Sequence, residues 1–372
     1  MEFTVSKSDF LRELSFSQGV IEKKTTIPIL SNLLIEADNG RIQLTATDLE
    51  LGIQCSCAAK IDKPGSGTIP AKRLLDYVRL LPDEDIKIKF LDNHWASITC
   101  GRSRTRIAGM SKESYPELPV MPEATLQLPP RALHQMISRT MFAISNEESR
   151  FTLNGALLVL EPAMMKMVAT DGHRLAHVVS GSQIETLEGT QSALLPRKAM
   201  GEILKLADIG EDGAAITFAS DENHLFFRVG DRLLITRKLT GSFPDYERVL
   251  PKEQNYEIAL LKDDIRSALE RVAQFSDERS RAVKLKFAEN ELKVYSSISD
   301  TGESEESLAI EYAGETADIG FNAHYILEFL RVVPDDHVRF CFRDAQSAAE
   351  FQPGAEAHPE DSYRYVVMPM RI

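Results

Sequence analysis

No run of the 372 residues approaches the roughly 18 consecutive apolar residues that a membrane-spanning helix needs. The opening, MEFTVSKSDF, has neither the basic start nor the apolar stretch of a secretory signal. Both absences predict a cytoplasmic protein with no membrane partner. Cysteine is scarce, with only Cys55, Cys57, Cys100 and Cys341. Cys55 and Cys57 alternate in a strand-like run and so share one face. No second pair has ligand spacing, so no structural metal is expected. The P-loop, the glycine-rich dinucleotide fingerprint and the H-E-x-x-H zinc motif are also missing, and Gly65-Ser-Gly67 reads as a loop. No cofactor is expected. Positive net charge is lacking too: 43 Lys and Arg against 56 Asp and Glu leave −13. Nucleic-acid binders favour a basic balance. A sum does not describe a surface, however, and an acidic protein can carry one basic concave face.

What is present is a weak internal repeat of about 125 residues, the kind of period that marks repeated architectures. Three segments, Thr68–Pro82, Leu195–Leu206 and Gly320–Pro334, each run from a strand into a helix. Pro70, Pro196 and Asn322 occupy like positions. The pairs Leu74/Val78, Met200/Leu204 and Ile326/Leu330 are spaced i, i+4, one stripe of an amphipathic helix. A second set opens each unit: Phe10/Leu14, Leu133/Ile137 and Ile265/Leu269 follow the short strands Phe3–Val5, Leu126–Leu128 and Tyr256–Ala259. Asp9, Pro130 and Asp263–Asp264 suit helix N-termini. A third set ends each unit: Tyr115–Pro122, Phe243–Pro251 and Tyr363–Pro369 read as an apolar strand closed by proline. The expected domains are 1–122, 123–252 and 253–372. Alternating runs such as Arg41–Thr47 and Glu291–Tyr295 read as half-buried strands. The fold class is α+β: three repeated domains, each an antiparallel sheet with two helices on one face.

Such domains can join edge to edge, which protects sheet edges, and a constant rotation closes a ring. Six domains place twelve helices about 9–10 Å apart on a circle roughly 36 Å across. Subtracting a helix diameter of roughly 10–12 Å leaves about 25 Å, enough for a duplex. The helices carry cations off their apolar stripes: Arg73 and Arg79; Arg131, His134 and Arg139; Arg197, Lys198 and Lys205; Lys262, Arg266 and Arg271; His324 and Arg331. Acidic residues gather in expected loops, at Glu147–Glu148, Glu211–Asp212, Glu303–Glu306 and Glu356–Asp361. Phosphate contacts of this kind bind without reading sequence and weaken with salt.

Several stretches, in order, are more specific: Thr26–Leu34, Thr45–Glu50, Leu153–Gly155, Val168–Leu175, Phe243–Tyr246 with Arg248–Pro251, Ile319–Asn322 and Tyr365–Ile372. On these the chain resembles the bacterial DNA polymerase III beta subunit, the sliding-clamp family, over its whole length. The resemblance implies a non-catalytic processivity factor: a head-to-tail homodimer forming a six-domain ring around duplex DNA, opened by a clamp loader. It also implies that the polymerase III alpha subunit and other polymerases bind through short linear peptides. Their pocket would be lined by Leu153, Thr170, Gly172, His173, Arg174, Leu175, Pro244, Arg248, Val249, Val366, Met368, Pro369, Met370 and Arg371. Leu, Val, Pro and Met suit short apolar or aromatic anchors, while His173, Arg174 and Arg248 can donate to a client's backbone or glutamine. For DNA the resemblance points to Lys24, where relatives carry arginine, and to Lys72 and Arg73; the helix charges add Arg197 and Lys198. Glu147 stands where some relatives have glutamine, which weakens a DNA contact there. For the dimer it points to Ile107 and Phe275. Thr105 and Gln274 replace bulkier apolar neighbours, and ion pairs of Arg102, Arg104 or Arg106 are expected to compensate.

Two other readings remain at this point. Thr170–Arg174 sets an acid beside an imidazole, a combination used in acid–base catalysis. No nucleophile accompanies it, and the repeat's counterpart Thr47-Asp48-Leu49 has no histidine, so a turn role for the aspartate is expected in both copies. A protein-only scaffold of the same fold is the other reading.

Overall fold

The computed structural model describes residues 1–372 except 22–25, 124, 148, 185–186, 211–213, 299–301 and 356–359, and of 209–210 the backbone only. Residues 1–122 contain strands β1 (Glu2–Val5), β2 (Asn32–Asp38), β3 (Arg41–Thr47), β4 (Leu51–Ala58), β5 (Lys60–Lys63), β6 (Gly65–Pro70), β7 (Ile86–Phe90), β8 (Trp95–Cys100) and β9 (Ser103–Ala108), with helices α1 (Lys7–Ser17) and α2 (Ala71–Leu80). The next third holds β10 (Leu126–Leu128), β11 (Gly155–Glu161), β12 (Met164–Thr170), β13 (Arg174–Ser180), β14 (Gln191–Pro196), β15 (Ile216–Ser220), β16 (His224–Val229) and β17 (Arg232–Arg237), with α3 (Pro130–Thr140) and α4 (Arg197–Gly210). The last third holds β18 (Tyr256–Leu261), β19 (Ala282–Ala288), β20 (Glu291–Ile298), β21 (Gly302–Ala309), β22 (Ala317–Asn322), β23 (His337–Phe342), β24 (Ala349–Pro353) and β25 (Ser362–Val367), with α5 (Lys262–Val272) and α6 (Ala323–Val332).

The expected stripes account for the helices. Phe10, Leu14, Leu74, Val78, Leu133, Ile137, Ile265, Leu269, Ile326 and Leu330 are all buried. In α4, Met200 is buried but Leu204 is only half-buried. The buried stripe there runs through Ala199, Ile203, Leu206 and Ala207, a phase that the spacing of Met200 and Leu204 alone does not select. Ser6 caps α1 by accepting from the Asp9 N–H, and Asn322 caps α6 by accepting from the His324 N–H at 2.9 Å. Pro130 opens α3, where its missing donor costs nothing.

Strand pairing is antiparallel throughout the described sheets. One sheet runs β5-β1-β7-β8-β9 and one runs β21-β20-β19-β22. Two eight-stranded sheets run β10-β15-β16-β17-β4-β3-β2-β6 and β14-β11-β12-β13-β25-β24-β23-β18. Each of the long sheets carries strands from both sides of an expected domain boundary. The chain accordingly packs as two compact units, residues 1–133 with 198–238 and residues 134–197 with 239–372. In the second unit Phe329 stacks on Tyr365 with ring centroids 5.2 Å apart, and Phe340 meets Phe351 at 4.7 Å.

Three sequence expectations need correction. Gly65-Ser-Gly67 is not a loop but the start of β6, laddered against Ala37, Glu36 and Ile35 of β2. Of the three closing segments only the last is a strand, β25; residues 115–122 and 243–251 form no ladder, the latter containing a 3₁₀ turn at Tyr246–Arg248. Their prolines lack donors, and the sheet edges they might have joined are already taken by the β17–β4 and β13–β25 pairings. Glu303–Glu306 is not a loop but part of β21, where Glu303 accepts from the Tyr295 hydroxyl, Glu305 pairs with Lys293 and Glu306 with Arg271. Charge suits an unpaired edge strand because it discourages stray pairing. Of the other acidic segments, Glu148, Glu211, Asp212 and Glu356 lie outside the described residues.

Candidate functional site

The site begins with a five-residue turn between β12 and β13. The Thr170 hydroxyl donates to the Arg174 carbonyl at 2.5 Å and accepts from the Gly172 N–H at 3.0 Å. Asp171 Oδ1 accepts from the N–H groups of His173 and Arg174. Gly172 has φ +89°, a conformation that suits glycine. The counterpart repeats each bond: Thr47 donates to the Leu51 carbonyl and accepts from the Leu49 N–H, and Asp48 Oδ1 accepts from Glu50 and Leu51. The aspartates therefore shape turns, as expected, and are not set up for acid–base chemistry.

The turn delivers β13 alongside β25, with Leu175 directly opposite Val366. Val168, Leu175 and Val366 form a buried apolar floor, against which Leu157, Phe243, Tyr246, Val249, Leu250 and Ala348 pack while staying partly open. Beyond β25 the chain folds back. The Met368 N–H donates to the His173 carbonyl at 2.9 Å, and the Met370 N–H to the Gly320 carbonyl at 2.8 Å. Met368 is 38% exposed beside that floor; Pro369 and Met370 are half-buried and Arg371 is exposed. His173, Pro244 and Arg248 are exposed, with Arg248 held to Asp245 at 2.7 Å. Leu153 is buried at the 3₁₀ turn Phe151–Leu153 and is not part of the floor cluster.

Arg174 corrects one expectation, since its guanidinium is not a free donor toward a client. It is buried, lies 4.4 Å over the Tyr325 ring, pairs with Asp171 at 3.0 Å and with Glu328, and donates to the Phe142 carbonyl at 2.7 Å. Burial works against its charge, but Tyr365 and Glu328 raise its pKa by more. It braces the turn from beneath. The sequence reading also missed Val168, Phe243, Tyr246 and Leu250. The signal was there: Val168 is two residues before Thr170 on the same strand face, and Phe243 and Tyr246 lie inside a motif already singled out.

The same sheet face continues into a polar patch. His177 is opposite Arg364 across β13 and β25. Arg364 grips Glu350 through two bonds, Nε at 2.6 Å and Nη2 at 2.7 Å, although Glu350 is only 1% exposed. His177 stacks on Tyr246 at 5.6 Å, and its Nδ1 has no hydrogen-bond partner. Burial, then the charges of Arg364 and Lys166, lower its pKa to about 4, so the ring is neutral near pH 7.

The cationic set is partly engaged within the chain. Lys24 lies outside the described residues. Lys72 pairs with Asp76 at 2.6 Å, Arg197 donates to Asn146, and Lys198 pairs with Asp48. Arg73 is exposed and forms no ion pair among the described residues. Of the expected dimer residues, Phe275 is 38% exposed, but Ile107 is only 4% exposed, covered by its own unit. Both lie by unpaired sheet edges: Ile107 on β9, and Phe275 beside Gly302 at the start of β21. The exposed side chains of β9 include Arg104 and Arg106; those of β21 include Glu303 and Glu305. All four cysteines are free and buried. Among the described residues no cluster of three metal-ligating side chains occurs, and no helix is long and apolar enough to cross a membrane.

Comparison with known proteins accounts for this arrangement. Residues 1–119 match the N-terminal domain of the DNA polymerase III beta subunit, 127–245 its central domain and 247–371 its C-terminal domain. The beta sliding clamp of Chlamydia muridarum is 34% identical over 373 residues, covering 100% of this chain and 99% of that one. The beta sliding clamp of Escherichia coli K12 is 33% identical over 375 residues, covering 100% of both. The crystal structure of a sliding clamp from Pseudomonas aeruginosa bound to griselimycin superimposes with a TM-score of 0.93 at 31% identity, covering 100% of both chains. With all three domain models matched and relatives aligned end to end, this chain belongs to the DNA polymerase III beta subunit family, the beta sliding clamps.

Proposed function

We propose that this chain, built of domains 1–122, 123–252 and 253–372, closes with a second copy into a six-domain ring around duplex DNA. Its role in the family is that of a DNA polymerase processivity factor, with no catalysis of its own. The observation that carries the ring is a pairing rule. In each repeat three consecutive strands form a meander: β2-β3-β4, β11-β12-β13 and β19-β20-β21. The last strand of repeat two, β17, pairs with β4, and the last strand of repeat three, β25, pairs with β13. That leaves β9, the last strand of repeat one, and β21, the third meander strand of repeat three, each with a free edge among the described residues. The same rule applied between copies joins β9 to β21 of another chain, head to tail. Arg104 and Arg106 would then face Glu303 and Glu305, and Phe275 would gain cover that Ile107 already has.

Lys24, Lys72, Arg73, Arg197 and Lys198 are the proposed DNA contacts, acting on phosphates without base readout. The groove over Val168, Leu175 and Val366, rimmed by His173, Pro244, Arg248, Val249 and the Met368–Arg371 tail, is the proposed seat for short linear peptides of the polymerase III alpha subunit and other clients. The griselimycin-bound relative supports ligand binding by clamps of this shape. A clamp loader is the expected partner for opening the ring. Retention on DNA tests the enclosure. Once loaded, the protein stays on nicked circular DNA and runs off the same DNA after linearisation; equal loss from both substrates refutes a ring.

A further inference from the structure

The strands that open repeats one and three differ in what covers them. β1 and β18 each run almost directly into their repeat's first helix, and each carries a glutamate near its start, Glu2 and Glu257. In repeat one the outer edge of β1 is covered by β5, which sets Lys63 opposite Glu2, Ile61 opposite Phe3 and Lys60 opposite Thr4. In repeat three β18, among the described residues, pairs only with β23 and ends its sheet. The Lys262 N–H donates to the Asp336 carbonyl at 2.8 Å, continuing the register that sets Leu261 opposite His337. By the alternation of an antiparallel ladder, the backbone groups of Tyr256, Ile258 and Leu260 face β23. Those of Glu257, Ala259 and Leu261 point away from it and meet no strand.

Beyond this free edge lies a cavity of about 730 Å³ whose far wall is the end of β21 and the residues after it, Leu308–Glu311. The segment that follows β21 holds the place in sequence that β5 holds after β4, yet it does not cover β18. Its Ile310 N–H bonds to the Asn290 carbonyl, the Asn290 N–H bonds to the Tyr312 carbonyl, and Tyr312 packs edge-on against Tyr256 at 5.4 Å. The slot left behind is lined by Glu257, Asp264 and Glu311, with Leu261 half exposed beside them and, among the described residues, no Lys or Arg in its wall. Glu257 also pairs with Arg339 of β23 at 3.6 Å, as Glu2 pairs with Lys87 of β7 at 2.7 Å. Its charge is the complement of the lysines that β5 brings to β1.

We propose that this slot takes an extended basic segment of a partner polypeptide, which adds as an extra strand to the free edge of β18. Main-chain bonds to Glu257, Ala259 and Leu261 would hold it, and its cations would meet Glu257, Asp264 and Glu311. The slot is separate from the groove on β13 and β25, and from the part of β21 that the ring closure uses.

The test uses the full chain and two labelled hexapeptides, one alternating lysine with isoleucine or valine, the other with glutamate in place of lysine. Fluorescence anisotropy is expected to show at least tenfold tighter binding of the lysine peptide. Amide exchange is expected to slow in residues 256–261. E257K/E311K should lose the preference by tenfold or more. Ala259→Pro removes one outward N–H from an edge position that tolerates proline and should weaken binding while the thermal melt is unchanged. No binding, equal binding of both peptides, or protection elsewhere overturns the proposal. So does binding that E257K/E311K abolishes but Ala259→Pro leaves intact, since charge alone would then explain it. Protection of 256–261 that rises with protein concentration in the absence of peptide gives the slot to a second copy and likewise overturns the proposal.

Discussion

The two long sheets contain the same junction built twice, and the copies differ in the chemistry of the face they present. At each, a Thr-Asp turn feeds a strand into a ladder with the last strand of the next repeat. In the first, Gly52 is opposite Ile235; in the second, Leu175 is opposite Val366. The missing side chain at Gly52 is replaced from outside: Leu118 of the proline-rich segment sits with its Cδ2 only 2.9 Å from where a Cβ would stand. Leu118 and Met121 cover Phe226, Leu233 and Ile235 there. In the second, the corresponding positions are Glu350, Arg364 and Val366, so the face is apolar at one end and ionic at the other. The turns share their backbone shape but not the residue at its left-handed position, Leu49 at φ +79° against Gly172 at φ +89°. The first face is apolar throughout; the second offers a ligand both apolar and polar contacts.

The largest expected effect breaks the ionic end. Glu350→Ala leaves the half-buried Arg364 guanidinium without its carboxylate and should cost about 3 kcal/mol in urea unfolding of the second unit, the low end for a charge that loses its partner. The double change E350L/R364M, which makes this junction apolar like the other, should instead fall within about 1 kcal/mol of the unmodified chain or exceed it. If both variants lose equally, the apolar and ionic junctions are not interchangeable.

Next in size is the effect of acid. His177 has its folded pKa lowered to about 4, against about 6.5 unfolded. Between these values the unfolded chain holds a proton that the folded chain does not. Stability is therefore complete above pH 6.5 and falls as pH drops toward 4, by up to about 3 kcal/mol. His177→Gln installs the residue found at the corresponding Gln54. Thermal melts from pH 7 to 4 should show a shallower acid loss for it, and an unchanged slope would contradict the burial account.

The smallest effect unplugs the first junction. Leu118→Ala removes a half-buried side chain and should cost about 1–2 kcal/mol, read as a lower urea midpoint for the first unit with the second unaffected.

Much of this was legible in the sequence, for physical reasons. An i, i+4 pair such as Leu74 and Val78 states its own geometry, and the cap at Asn322 follows from its side chain. The turn Thr170–Arg174 was legible because its bonds are local. What escaped was set by partners distant in sequence. Arg174 looks like an exposed donor until Glu328 and Tyr325 are brought beneath it. Glu350 looks like a surface acid until Arg364 reaches it. Residues 115–122 carry strand-like apolar residues, yet the edge they might have joined was taken by β17, a pairing that no local pattern announces. In α4 the choice between Leu204 and Ile203 depended on the surface it met.

Under the proposed function, clients dock at the second junction and not at the first. Methionine-methyl NMR reads both at once, because Met368 follows β25 and its N–H bonds to the His173 carbonyl, Met370 lies two residues on, and Met121 packs on the first junction. On titration with the C-terminal peptide of a polymerase alpha subunit, the Met368 and Met370 methyls should shift in a saturable way and Met121 should stay fixed. A saturable shift at Met121, or none at Met368 and Met370, would contradict the account.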